Sequence, residues 1–266
     1  MKTISVVNHK GGVGKTTSTL NFGGELAKKG YKVLLIDFDS QGNLSQTAAG
    51  RYLEPQDKAR PNIAEALDRL LEDRDPIFPI YTTGINGMDI IPCDLRFANI
   101  IIKLNYAVAR EGYLRQFISL IKEKFDYDYV LIDNAPTIEI SFQNSLAACD
   151  EVLIVSEPDI YSMEGINTLI SQINKIRRYF NPDLEIAGIL INKMDKRTNY
   201  SKDMAEIIGN VWKEKIKVYE TMIPKSVKTQ ESQAAGMLVS DHSPENPVGV
   251  AFKKFTDEYL RNRGIY

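Results

Sequence analysis

Ser5-Val-Val-Asn-His-Lys-Gly-Gly-Val-Gly-Lys-Thr-Thr17 decides how this 266-residue chain is read. A strand-like run, Thr3–Asn8, enters a turn with glycine at three of four consecutive positions. A helix-like run, Lys15–Lys29, leaves it. Gly11, Gly12 and Gly14 let the backbone curl until successive N–H groups face one anion. The helix behind them adds its positive end. In such a loop Lys15 reaches the β- and γ-phosphates of a nucleotide, and the Thr16 hydroxyl ligates Mg²⁺. The strict pattern G-x-x-x-x-G-K-[ST] fails, because His9 stands where its first glycine belongs. What the chain has is K-G-G-x-G-K-T, with an additional lysine, Lys10.

Short apolar runs alternate with longer amphipathic ones along the rest of the chain. Strands are predicted at Thr3–Asn8, Lys32–Asp37, Met88–Pro92, Tyr129–Asp133, Glu151–Ser156, Ile186–Asn192 and Val218–Ile223. They are nearly continuous Val, Ile and Leu, as parallel strands covered on both faces are. Helices are predicted at Lys15–Lys29, Asn62–Leu71, Tyr106–Lys124, Glu139–Ala148, Met163–Tyr179, Lys202–Glu214 and Pro247–Arg261. The last has Asn246 as its N-cap, Pro247 at its first position and a stripe of Val248, Ala251, Phe252, Phe255 and Tyr259. This alternation predicts an α/β fold: a doubly wound, mostly parallel sheet flanked by helices, in a single domain over residues 1–266. Arg51–Arg60 and Ser240–Asn246 are expected to be loops within it.

Composition narrows the function. The chain is 43% hydrophobic and 26% charged, with a net charge of −2, which excludes a disordered chain and a globally basic nucleic-acid binder. Two histidines, His9 and His242, and two cysteines, Cys93 and Cys149, leave no Cys/His zinc spacing and no disulfide framework. Both cysteines are expected to be buried small hydrophobes. No apolar run reaches the ~18 residues of a membrane span, and no signal peptide is evident.

The carboxylates fall where a doubly wound sheet binds ligands, at the carboxyl ends of strands. Val33-Leu-Leu-Ile-Asp-Phe-Asp39 ends in two acids that share a face if the strand persists. Tyr129-Val-Leu-Ile-Asp133 ends in one, in the manner of an Asp that holds Mg²⁺, often through water.

Lys10-Gly-Gly-Val-Gly-Lys-Thr-Thr17 resembles the deviant Walker A motif of the ParA/MinD family of ATPases. The resemblance implies that ATP with Mg²⁺ is bound by Lys10, Gly11, Gly12, Val13, Gly14, Lys15, Thr16 and Thr17. It gives Lys10 the part of the signature lysine, which crosses a nucleotide-sandwich homodimer to the partner's ATP and acts like an arginine finger supplied in trans. Asp37-Phe-Asp-Ser-Gln-Gly-Asn43 resembles the family's D-x-D-P-Q-G-N, with Ser40 for proline. Asp39 matches the carboxylate that positions the attacking water, and Asp37 matches one near Lys15 and Mg²⁺. The metal group is thus Thr16, Asp37, Asp39 and Asp133, and the catalytic group Lys10, Lys15 and Asp39. Asp133-Asn-Ala-Pro136 departs from the family's D-x-P-P.

Asn192-Lys-Met-Asp195 is N-K-x-D, a pattern that reads guanine in GTPases. The Lys10 signature instead favours ATP, with Asn192 and, in Met222-Ile-Pro-Lys225, Pro224 against adenine. Glu157–Gly165 resembles a family segment at the dimer face, best at Glu164-Gly165, and no site is assigned there. Single cysteines are unlike the nitrogenase iron-protein branch, and one domain is unlike the doubled arsenical-pump branch.

The ParA branch implies non-specific DNA binding by the ATP-bound dimer. The same resemblance implies a ParB-like or cargo-adaptor protein that stimulates hydrolysis, and a cytoplasmic, nucleoid-associated location away from membrane. Residues 190–230 carry nine basic and five acidic side chains, a net +4. Lys196, Arg197, Lys225 and Lys228 are the DNA candidates, since phosphate neutralisation falls to Lys and Arg. No separate N-terminal helix-turn-helix domain is expected. A MinD-like membrane regulator and a metabolic P-loop enzyme such as a dethiobiotin-synthetase-like ligase stand as alternatives.

Overall fold

The computed structural model describes residues 1–49 and 60–265, so the Arg51–Arg60 loop, apart from Arg60, lies outside the described residues. The strands are β1 (Lys2–Val7), β2 (Val33–Phe38), β3 (Tyr81–Thr82), β4 (Asp89–Ile91), β5 (Tyr129–Asn134), β6 (Glu151–Ser156) and β7 (Glu185–Ile191). The helices are α1 (Lys15–Lys28), α2 (Asn43–Ala49), α3 (Ile63–Leu71), α4 (Phe97–Tyr106), α5 (Tyr113–Lys124), α6 (Ile140–Ala148), α7 (Ile160–Tyr179), α8 (Asn199–Trp212), α9 (Lys228–Ala234), α10 (Val239–His242) and α11 (Pro247–Asn262). One sheet has the order β3-β4-β2-β5-β1-β6-β7. Every pairing is parallel except the short β3 edge on β4.

The sheet has a core on each face, and successive strand residues alternate between them. Leu34 and Ile36 of β2 join one cluster with α3 to α8, while Val33 and Leu35 join the other with α1 and α11. This two-sided burial is why the strands are apolar at nearly every position. The α11 stripe of Val248, Ala251, Phe252, Phe255 and Tyr259 is buried, with Phe255 and Tyr259 packed edge-on against Phe22 of α1. Cys93 and Cys149 are both buried and free.

Several expected elements differ. Val218–Ile223 is not a strand: it follows β7 through isolated bridges at Val218 and Pro224. The predicted Tyr106–Lys124 helix is helical only from Tyr113: Tyr106 ends α4, and between them Ala109 takes a left-handed φ of 51°. The buried Asn144 side chain fills that break, donating to Arg110 O at 2.7 Å and accepting from Leu114 N at 3.2 Å. Helix α7 starts at Ile160, ahead of the predicted Met163, because Asp159 caps it, accepting from the N–H groups of Tyr161 and Ser162. The predicted Ser240–Asn246 loop begins inside α10, and α2, α4 and α9 were not expected.

Candidate nucleotide site

The six parallel strands end on one side, and the ends of β1, β2, β5 and β7 build the site. At the end of β1, Asn8 braces the loop: its side chain donates to Val155 O at 2.7 Å and accepts from Lys10 N at 2.9 Å. Gly12 and Gly14 have φ of 77° and 94°, in the left-handed region where a side chain is strained. A Cβ on Gly14 would lie 2.1 Å from Asn192 Nδ2, so the β7 end packs directly on the loop. That amide donates to Val13 O at 2.7 Å, and Lys193 Nζ bonds to Gly12 O while pairing with Glu157 at 2.9 Å. On the other side, nothing lies within 4 Å of where a Cβ on Gly11 or Gly12 would sit. The loop is thus clamped from behind and open in front, as a phosphate cradle requires.

Lys15 is buried, and its ammonium donates to Lys10 O at 3.2 Å. Burial lowers its pKa, while Asp133 and Asp39 oppose that shift. Asp37 and Asp133 are register partners on adjacent strands, both buried. Burial raises Asp37 to about 7, against hydrogen bonds from Ser45 and Asp39 that lower it. Burial, and then the nearby Asp37, raise Asp133 to about 8, while a Thr16 hydrogen bond and Lys15 lower it. Asp37 also anchors α2: Oδ2 accepts from Ser45 N at 2.8 Å and Ser45 Oγ at 2.6 Å. Asp39 is half-buried and faces the cleft, bonding Gln41 N of its own turn at 3.0 Å.

This donor set fits Mg²⁺. Hard oxygens of Thr16, Asp133 and their neighbours lie beside the cradle, and Lys15 is the cation that acts on Asp133 among the described residues. Among the described residues no group of three or more His, Cys, Asp or Glu could hold an ion alone. That suits an ion which takes most of its ligands from water and phosphate.

Lys10 leaves its own loop. Its ammonium bonds Asp159 at 2.6 Å, across 149 residues of sequence, and this bond raises its pKa. The cleft in front of the loop, about 1260 Å³, is lined by Gly11–Thr17 residues, Asp39, Asn192, Pro224 and the basic Lys196, Arg197 and Lys225. Asp195, the last residue of N-K-x-D, is fully engaged: Arg197 Nε donates to Oδ1 at 3.0 Å and its terminal nitrogen to Oδ2 at 2.9 Å. These bonds hold the Asp195 carboxyl at about 2. Each oxygen that a guanine edge would use thus already accepts a bond from Arg197, which competes with such an edge.

A family profile described as an AAA domain matches residues 1–186. The sporulation initiation inhibitor protein Soj of Bacillus subtilis is 33% identical over 98% of this chain and 99% of its own length. The chain belongs to the ParA/MinD superfamily of P-loop ATPases. The chromosome partitioning protein ParA of Caulobacter vibrioides is 32% identical over 90% of this chain and 86% of its own. Among ParA/MinD-type structures, the cell division ATPase MinD of Pyrococcus furiosus shares the fold at TM-score 0.76 and 23% identity, over 98% of this chain and 99% of its own. Cobyrinic acid a,c-diamide synthase of Mycobacterium smegmatis, with bound ADP and magnesium, is similar at TM-score 0.82 and 27% identity, over 99% and 96%.

Gly11, Gly12, Gly14, Lys15, Thr16, Thr17, Asp39, Asn192 and Pro224 line one cleft, while Asp37, Asp133 and Val13 are buried and Lys10 is turned away to Asp159. Of the basic candidates, Lys196, Arg197 and Lys225 line its mouth, and Lys228 pairs with Glu231 at 2.7 Å just beyond. Sequence reading missed Asp159, although an Asp before a helix is a capping signal. It also missed Ser45, Lys193 and Gln233, whose contacts are non-local. Gly165 has a steric reason: a Cβ there would lie 2.6 Å from the His9 ring.

Proposed function

We propose that the chain works as a single ATPase unit that dimerises on ATP, binds DNA without sequence preference and is released by partner-stimulated hydrolysis. One observation carries this reading: of the loop's two lysines, Lys15 is buried inside the cradle, whereas Lys10 is turned out of it, partly exposed on the Asp159 carboxylate. A lysine aimed away from its own cradle is placed to serve a neighbour's.

ATP enters with its phosphates on the N–H groups of the glycine turn and its base between Asn192 and Pro224. Thr16 and Asp133 would hold Mg²⁺, which when bound would neutralise charge on the phosphate oxygens. Lys15 sits on the β/γ side, and Asp39 orients the attacking water. Lys10 from the second copy adds positive charge where it develops on the transferred phosphoryl group. The faces that meet bring two +4 segments together, so DNA affinity follows dimerisation. Among the described residues no helix is long and apolar enough to cross a membrane, and the α11 stripe packs on α1, which speaks against a membrane-seeking C-terminal helix. Nucleoid association follows from this DNA binding.

The test is a DNA-binding titration with and without ATP at several salt concentrations, beside ATPase assays. Binding should require ATP and weaken steeply with salt, and Lys10→Ala should abolish hydrolysis. Nucleotide-independent or salt-insensitive binding removes the reading. The similarity to cobyrinic acid a,c-diamide synthase supports a second reading, a small-molecule ligase, and a tightly bound carboxylic co-substrate would favour it.

A further inference from the structure

One face of α1 carries polar residues where a core helix ordinarily carries apolar ones. Thr17, Asn21, Glu25 and Lys28 form a stripe at helical spacing, and each bonds to the chain between Gln233 and Asp241. Gln233 Nε2 donates to Thr17 Oγ1 at 2.9 Å, and Asn21 Oδ1 accepts from Val239 N at 2.9 Å. Ser240 Oγ donates to Glu25 at 2.5 Å, and Lys28 pairs with Asp241 at 2.5 Å. Upstream, the same stretch is pinned to the sheet side: Met194 N donates to Ile223 O at 2.9 Å, and Lys225 N to Met194 O at 3.0 Å. Lys225 and Lys228 lie between these anchors, and the Gln233–Thr17 bond ties their span to the phosphate loop.

The direction of that bond matters. Gln233 gives its amide proton to Thr17 Oγ1, so the Thr17 hydroxyl keeps its own proton to give elsewhere. Both residues line the cleft. A phosphate oxygen in the cradle is the acceptor that completes a chain from amide to hydroxyl to phosphate, and bonds in such a chain strengthen one another.

We propose that Gln233 is a positioning residue that couples the placement of the basic span at 225–228 to nucleotide occupancy. Phosphate on the Thr17 hydroxyl tightens the Gln233 contact, which draws α9, with Lys228, and the preceding Lys225 against the cleft. The inference deepens the DNA-binding reading above and rests on it only for what the lysines then touch.

The experiment compares wild type with Gln233→Leu, which removes the donor at similar size, and Gln233→Glu, which reverses the polarity of the contact. Amide hydrogen exchange and anisotropy of a labelled DNA duplex are read without nucleotide and with ATP–Mg²⁺ raised to saturate each protein. In wild type, ATP slows exchange both at 11–17 and at 225–234 and tightens duplex binding. In both variants the slowing at 11–17 persists, while the slowing at 225–234 and the ATP-induced gain in duplex affinity each fall about fivefold, the loss of one hydrogen bond. Variants that keep the full ATP response at 225–234 overturn the inference. So does loss of protection at 11–17 as well, which makes Gln233 part of nucleotide binding alone. If wild type shows the exchange coupling but ignores the duplex, the DNA reading fails and the coupling stands.

Discussion

Gly24 lies in the interior of α1, where alanine is normally the better residue by about 0.8–1.0 kcal/mol. Here a Cβ would fall 2.3 Å from Leu238 Cδ1, 2.5 Å from Cδ2 and 2.9 Å from Cγ. Leu238 is fully buried, so its whole isopropyl group must shift inside a packed core. Overpacking of that kind costs about 1–3 kcal/mol, more than the propensity gain, so Gly24→Ala should destabilise by ~1–2 kcal/mol. Leu238→Ala alone should cost about 2–5 kcal/mol, since it empties a buried site. With Leu238 already cut back, the added methyl has room and only helix propensity remains. Gly24→Ala on that background should therefore stabilise by about 0.5–1 kcal/mol. Urea unfolding of the four proteins gives this double-mutant cycle directly. Equal destabilisation with and without Leu238 would refute the reasoning, because some other contact would then be keeping the glycine.

Three more outcomes are expected. Asp37 and Asp133 hold their protons more tightly folded than unfolded, so the contribution of these two groups to the stability of nucleotide-free protein is greatest below the ordinary carboxylate range near pH 4. That contribution is lost as pH rises from there through about 7 and about 8. Urea midpoints at pH 5.5 to 9 should fall, and more gently in Asp37→Asn; a flat wild-type profile contradicts the burial argument. Asp39→Ala should stop turnover yet retain ATP, with stability within about 0.5 kcal/mol because only its own turn is touched; wild-type turnover removes Asp39 from the mechanism. Gly165→Ala drives its methyl into the His9 ring at a cost of about 1–3 kcal/mol, less about 0.8–1.0 for helix propensity, so it should destabilise by about 0–2 kcal/mol and weaken ATP binding; unchanged affinity means the ring moves freely.

The sheet was legible because strands buried on both faces leave almost no polar residue to confuse their pattern. The phosphate loop was legible because its chemistry is local, within Lys10–Thr17. Helix α9 was not, since KTQESQA has no apolar stripe and is held by tertiary bonds. The break before α5 was invisible because its cap, Asn144, lies on another helix. The Lys10–Asp159 and Gln233–Thr17 contacts span 149 and 216 residues, and no local pattern encodes such pairings. Asp195 shows the opposite risk: N-K-x-D is a clear local pattern, yet Arg197 two residues on occupies the carboxylate it advertises.

The strand that feeds the phosphate loop comes before both of its sheet partners in the chain, by more than a hundred residues. β1 sits inside the sheet, paired on one side from Tyr129 and on the other from Glu151. A ribosome adding about 5–20 residues per second leaves this apolar strand without its neighbours for on the order of 10 s. Throughout that interval the Lys10–Thr17 loop has no wall at Asn192 to set its shape. The apolar side chains of β1 stay uncovered through that interval, the kind of surface that makes a partly made chain prone to aggregate. Slowing translation beyond Asp133 lengthens that exposure without changing a single contact in the finished protein.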